Sequence, residues 1–366
     1  MKAGLYWSVV AAVAALVFIQ FCRVSGVGGH GPAKIERLLT GRADRPYAYR
    51  ALLPVTANLL APLLDQRIAL RIGAMSETIM GEGFFLRRLN GSEFPSQVVL
   101  ILAMMYLSLV GFAAVISGLL RDFGYLRWVQ YLGPVVALLG ATLFMRFGYI
   151  YDFSALYLFA LGSLLMYRRR WWQYVFVLAA GTANKETAIF LCLIFVLYYS
   201  RRLTRPHFAA LLAIQLMTYG SIQGIVRYAT RHNPGQPAQW HLADQFGTLM
   251  RSTASVPYGT ALTAAGLLSI AALVAYRWRD KPEFLRVGMA ILPLFLGLFL
   301  IWGYPYEIRV LLEVYPIVGI LVLPPRLIRQ PAPPNGGARG STMSPPVPPA
   351  NRAEFSAVRL PDAAAD

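Results

Sequence analysis

Lys185 and Glu186 stand side by side between two short apolar stretches, 172–183 and 187–199. An ionisable pair at membrane depth is expensive to keep and marks a functional site by default. A lysine held there is a compact point charge suited to a phosphate. The same two residues can also pair with each other or cap the helix that starts at Thr187. The hexapeptide Arg45-Pro46-Tyr47-Ala48-Tyr49-Arg50 precedes an apolar stretch, 51–64. Its arginines and tyrosines suit either an anionic lipid headgroup or a plain aromatic and basic anchor at the interface. In Tyr304-Pro305-Tyr306-Glu307-Ile308-Arg309, the charged pair Glu307 and Arg309 lies at the mouth of the last apolar run. Glu313 follows Arg309 by one helical turn, so a local salt bridge competes there with a phosphate or sugar contact. Asp152, after Tyr149-Ile150-Tyr151, opens another apolar run, where it fits an N-cap or faces a shared polar cavity.

Other chemistries lack their residues. His30, His232 and His241 show no metal-ligand spacing, and neither does His207; His241 and Asp244 are merely three apart. Gly26, Gly28 and Gly29 follow an apolar span rather than a strand, so they form no phosphate-cradling loop. No serine sits in a nucleophile elbow. Cys22 and Cys192 lie in or at the end of apolar runs and read as buried apolar side chains. The cofactor stays open: a divalent cation is a candidate, but the sequence shows no clear ligand set for one.

The elements that must position these residues are long apolar runs. Of the 366 residues, 57% are hydrophobic and 14% charged, whereas soluble domains carry about a quarter charged residues. Membrane-crossing segments are read near 5–22, 98–120, 129–145, 152–167, 172–183, 187–199, 207–229, 258–276, 286–302 and 311–324. That is about ten in all, most near the roughly 17–25 residues a spanning helix needs. The fold class expected is an all-α polytopic integral membrane protein. The pair 172–183 and 187–199 is short in each half and reads as a broken-helix hairpin. Such backbone is tolerated at depth only where protein or water covers it.

The net charge of +17 mainly reports topology. Arg168, Arg169 and Arg170, then Arg201, Arg202 and Arg205, then Arg277, Arg279, Lys281 and Arg286 fall between apolar runs, the positive-inside pattern. With these in the cytoplasm both termini are cytoplasmic. The 23–97 loop, the 146–151 turn, the 230–257 loop and the 303–310 loop then lie outside, with the 184–187 tip near them. The stretches 51–64 and 76–97 suit helices lying along the outer interface, in contact with membrane lipids. No basic face of a soluble domain exists to bind nucleic acid. The first run, behind Lys2, lacks a small-residue cleavage site and reads as an uncleaved signal anchor. The chain thus divides into a membrane domain, 1–324, and a Pro-rich cytoplasmic tail, 325–366, expected to be disordered.

Three places resemble the membrane glycosyltransferases of the GT-C superfamily. Tyr151-Asp152 opens a span that leads through an arginine-rich turn to Gly181-Thr182-Ala183-Asn184-Lys185-Glu186-Thr187. The segment from Pro46 to Pro54 is similar to part of the first outer loop of bacterial relatives. Glu307-Ile308-Arg309, with Glu313 and Pro316, is the third. The resemblance implies an enzyme that moves a sugar from a polyprenyl-phosphate carrier to an envelope acceptor outside a bacterial cytoplasmic membrane. The family places a catalytic carboxylate early in the first outer loop. Here the nearest acids are Glu36 and Asp44, and no Asp-Asp or Glu-X-Asp pair follows Cys22. On that reading Asp44 or Glu36 takes the acceptor's proton, and Lys185, Arg50 and Arg309 hold the leaving phosphate. Glu186, Asp152, Glu307 and Tyr49 support them. Two functions compete with this one: a transporter or flippase of a lipid-linked or anionic solute, and a non-catalytic partner in an envelope-glycan complex. Broken helices are a transporter feature, but no repeat relates the two halves and the polar residues crowd at one face.

Overall fold

The computed structural model describes residues 3–25, 34–80, 94–144, 148–236, 240–247, 257–303 and 308–328. Among these, helix dominates at 81% and no strand forms. The apolar runs dictate this, because a chain in lipid must satisfy its backbone groups within each segment.

The chain opens with α1 (Ala3–Ser25), followed by the short α2 (Ile35–Leu39), then α3 (Leu52–Leu60) and α4 (Gln66–Met80). The longest helix, α5 (Pro95–Asp122), is the axis of the bundle and packs against α1, α3, α4, α6 (Arg127–Ala141) and α7 (Asp152–Tyr167). Gly111 lets α5 and α7 approach closely. A Cβ there would stand 2.7 Å from Cε2 of Tyr157, the small-residue contact favoured between membrane helices. A hairpin follows, α8 (Trp171–Asn184) and α9 (Ile189–Tyr199), and then α10 (Arg205–Ala229), which lies against α8. The last elements are α11 (Pro257–Ala275), α12 (Glu283–Gly288), α13 (Leu292–Trp302) and α14 (Tyr315–Leu321).

Phe112, Met105, Leu109, Phe153 and Phe195 fill the core, while Leu107, Val136, Phe176, Met217, Ile225 and Leu268 are exposed on the helices' outer faces. So much exposed apolar surface suits a lipid solvent rather than water. The protein is an α-helical membrane protein. Among the described residues, four helical stretches are long and apolar enough to cross a bilayer: Gly4–Arg23, Pro95–Asp122, Arg205–Ala229 and Glu283–Trp302. Except for 258–276, which the 19 residues of α11 match, the other expected crossings fall short of full length among the described residues, and local sequence explains why. Helix α6 runs through Pro134 for 15 residues and then gives way to a 3₁₀ turn at Thr142–Phe144. The hairpin helices have 14 and 11 residues. The run after Glu313 yields only the seven residues of α14, which starts with Pro316 in its first turn.

The arginine-rich turns gather at one end of the bundle. Arg168 grips Asp122 through two nitrogens, at 2.6 and 3.2 Å. Arg202 pairs with Glu283 at 2.5 Å, and Lys281 donates to the carbonyls of Leu273 and Leu321. The start of the Pro-rich tail is part of this end: Pro325–Leu327 forms a 3₁₀ turn, Ile328 bridges to Tyr125, and Leu126 donates to the Leu327 carbonyl at 2.8 Å. The segment 329–366, the rest of the expected disordered tail, lies outside the described residues. So does most of the expected interfacial stretch 76–97; the described part of α4 exposes Ile68, Ile72 and Met75, while α3 exposes Leu59.

Candidate functional site: a buried charge cluster at the other end

Helix α7 starts at the end opposite the basic turns. There Tyr151 takes the N-cap position and Asp152 the first helical one, which corrects the N-cap expectation for Asp152. Its Oδ2 accepts the Tyr149 N–H at 2.7 Å. Nη1 of Arg309 donates to Oδ1 at 3.2 Å and to Oδ2 at 3.3 Å. Both residues are buried, Asp152 to 1% exposure and Arg309 to 6%. Arg309 sits in a 3₁₀ turn, Ile308–Leu311, and not on an α-helix, so the one-turn spacing to Glu313 never places the two on one face.

Glu313 instead accepts Lys185 Nζ at 2.6 Å and the Thr187 hydroxyl at 2.7 Å. The break in the hairpin makes this reach possible. Helix α8 ends at Asn184, Lys185 is extended at φ −162° and ψ 136°, and a 3₁₀ turn, Glu186–Ala188, leads into α9. Asn184 fastens the break to α7, donating to the Tyr151 carbonyl at 3.0 Å and accepting the Ser154 hydroxyl at 2.8 Å. Lys185 and Glu186 consequently diverge: neither forms its ion pair with the other. Glu186 Oε1 lies 3.5 Å from Arg50 Nη2, and its carbonyl accepts the Tyr219 hydroxyl at 3.1 Å.

Arg50 arrives from the first loop, which a second loop holds in place. Asn233 Nδ2 donates to the carbonyls of Gly41 and Ala43 at 2.7 and 2.8 Å, and Arg45 N–H donates to Pro234 O at 2.8 Å. Gly235 bridges Arg45 with φ at 89°, and a Cβ there would meet Arg45 O at 2.6 Å, so glycine is required. After the 3₁₀ turn Tyr47–Tyr49, Arg50 donates to the Tyr151 hydroxyl. Its Cζ lies 4.4 Å from the Tyr151 ring centroid and 5.4 Å from that of Tyr47. Tyr149 and Tyr151 stack at 5.4 Å and 5°, and Arg309 lies 4.0 Å over Tyr149. Cations over tyrosine faces are attracted by the ring quadrupole.

Burial opposes the Arg50 charge, yet Tyr151 and Glu186 outweigh it and raise the guanidinium above its ordinary pKa. Burial likewise raises the Tyr149 and Tyr151 phenols, although the nearby Arg309 pulls both back. These tyrosines therefore stay protonated and serve as donors and ring faces, not as bases.

Three cations and three carboxylates thus interlock across four segments distant in sequence. Among the described residues, Nε of Arg50, Oε2 of Glu186 and Oε2 of Glu313 are buried without a hydrogen-bond partner. A pocket with room for about one water is lined by Lys185, Thr187 and Glu313 together with Phe159, Gly181 and Leu191. No group of three or more His, Cys, Asp or Glu arranged to hold a metal is present among the described residues.

The sequence candidates divide. Lys185, Arg50, Arg309, Glu186 and Asp152 are brought together. Asp44 is not: it accepts Arg37 Nη1 at 3.2 Å on the loop after α2, and Glu36 lies within α2 beside that pair. Tyr49 faces Arg227, whose Cζ is 5.5 Å from its ring centroid, and Glu307 lies outside the described residues. Gln215, Tyr219, Gln223 and Arg227 on α10 carry their signal in their spacing. Residues four apart share a helix face, and this one is a polar seam toward α8. Gln215 accepts the Tyr174 hydroxyl at 2.9 Å, Gln223 donates to Thr182 O at 3.1 Å, and Arg227 donates to Gln223 Oε1 at 3.4 Å.

The fold is that of a helical membrane protein with a buried charge cluster at one end of its bundle. Comparison with models of known families, with curated proteins and with solved structures finds no match.

Proposed function

We propose that the chain is a GT-C-type glycosyltransferase that moves a sugar from a polyprenyl phosphate to an envelope acceptor, working at the outer face of the cytoplasmic membrane. The observation that carries this reading is the convergence of Arg50, Lys185 and Arg309, each at most 9% exposed, at the end of the bundle opposite the arginine-rich turns. A polyprenyl phosphate leaving an anomeric carbon gains negative charge, and preorganised cations in a dry site lower that barrier. In this reading the about ten apolar segments all insert, the basic turns and both termini are cytoplasmic, and α3 and α4 lie along the outer interface. Helix α7 has 16 residues, so it is ~24 Å long against a hydrocarbon core of about 30 Å. The cluster at its start then sits below the lipid surface, level with a polyprenyl headgroup.

The carboxylates preorganise the cations. The same balance of charges, with Asp44 and Glu36 apart from the cluster, favours a second reading as a non-catalytic partner in an envelope-glycan complex. Sugar release decides between them. The purified protein, the sole protein in lipid nanodiscs, is offered radiolabelled polyprenyl-phosphate hexoses together with a protein-free envelope-glycan extract as acceptor. Release or transfer of label supports the enzyme, and intact donors throughout support the partner.

A further inference from the structure

We infer that Glu186 is the carboxylate that takes the proton from the acceptor hydroxyl, an assignment that rests on the transferase reading above. The three carboxylates of the cluster differ in what they have left to give. Asp152 has both oxygens engaged, by Arg309 and by the Tyr149 N–H, and its side chain is 2% exposed. Glu313 is equally buried, with its side chain 2% exposed, and is held by Lys185 and Thr187; its second oxygen is enclosed with it. Glu186 is held most loosely, at 3.5 Å from Arg50, and its side chain is 33% exposed. Its Oε2 has no hydrogen-bond donor among the described residues.

The partner of Glu186 completes the case. Arg50 Nε is also buried without an acceptor among the described residues. One residue pair therefore lacks a donor at one atom and an acceptor at another. A hydroxyl donating to Glu186 Oε2, beside a phosphate oxygen accepting from Arg50 Nε, satisfies both, and a buried polar atom left unmatched is costly. In the step this implies, the acceptor O–H proton passes to Glu186 Oε2. The hydroxyl oxygen's electron pair forms the new bond to the anomeric carbon. The bond from that carbon to the phosphate oxygen breaks, and its pair leaves on the polyprenyl phosphate beside Arg50. Tyr219, which fixes the Glu186 carbonyl, is a positioning residue in this scheme.

The test compares wild type, Glu186→Gln and Glu186→Asp in nanodiscs, each checked for intact folding by size-exclusion profile. Two quantities are read: the thermal shift given by a polyprenyl phosphate, and the rate of label release from polyprenyl-phosphate hexoses, with a protein-free envelope-glycan extract as acceptor, as a function of pH. The expected result is an unchanged thermal shift in Glu186→Gln with release slowed about 10²–10⁴-fold, the usual worth of a general base. Wild type should lose rate on the acid side as the carboxylate protonates, Glu186→Gln should lack that acid limb, and Glu186→Asp should fall between them. Release by Glu186→Gln at the wild-type rate overturns the assignment and leaves the transferase standing. A thermal shift abolished in Glu186→Gln makes Glu186 a binding group, which also overturns it. No release by wild type that nevertheless binds polyprenyl phosphate overturns the transferase reading, and the assignment with it.

Discussion

The Nζ of Lys185 lies 2.6 Å from Oε1 of Glu313, with both side chains under 10% exposed. The contact joins the break of the α8–α9 hairpin to the turn before α14, two parts of the chain that share no local sequence relation. Breaking a buried pair from one side leaves an uncompensated charge, typically at a loss of about 3–5 kcal/mol. Lys185→Ala and Glu313→Ala should therefore each lower Tm markedly in detergent, while Lys185→Met combined with Glu313→Leu should recover most of it. Singles that lose nothing would remove the ion pair from the account of stability.

Asp152 holds Arg309 and the Tyr149 N–H at once. Asp152→Asn keeps the shape but withdraws the charge facing Arg309, and hydrogen bonds to charged groups are worth about 1.5–3 kcal/mol. Differential scanning in detergent should show a loss of that size for Asp152→Asn, and a far smaller one for Asp44→Asn, whose carboxylate serves only an exposed pair with Arg37.

Gly235 is the point at which the first loop is held. Gly235→Ala forces φ 89° on a residue with a Cβ 2.6 Å from Arg45 O, a strain of about 1–3 kcal/mol. Trypsin should then cut faster at Arg37 and Arg42 than in wild type, while the cores of α5 and α7 stay protected. Equal cutting would mean that the 233–235 segment does not secure Arg50.

The proposed orientation can be read by thiol labelling, because Cys22 and Cys192 are both buried and should stay silent. In intact cells His232→Cys should react with a membrane-impermeant maleimide, and Arg201→Cys should react only after permeabilisation. The reverse pattern would invert the topology and put the charge cluster on the cytoplasmic side.

What the sequence could and could not yield follows from range. Helix positions were legible because apolar runs fix them locally: the expected 152–167 matches Asp152–Tyr167, and 207–229 lies within Arg205–Ala229. The break after Asn184 was legible as well, since Asn-Lys-Glu-Thr cannot continue an apolar helix. The pairings were not. Arg309–Glu313 was the natural local expectation, but Pro316 sets the start of α14 after Glu313, as proline favours a helix's first turn. Arg309 then precedes the helix and meets Asp152. Tyr47 and Tyr151 gained their places against Arg50 only through the clamp of one loop on another, a long-range effect that composition does not encode. The α10 seam could have been found by period alone; each such buried polar contact between membrane helices averages about 0.6 kcal/mol, so Gln223→Leu should shift Tm only slightly.

The most direct measurement of the central claim is the thermal stability of the purified protein with and without a polyprenyl phosphate, in wild type and in Lys185→Gln. Ligand at about a hundred times its Kd stabilises a native state by about 2.7 kcal/mol. A clear rise in wild-type Tm is expected, and its loss in Lys185→Gln, when both proteins are folded. An unmoved wild-type Tm, or an equal rise in both proteins, would contradict a lipid-phosphate site built on Lys185.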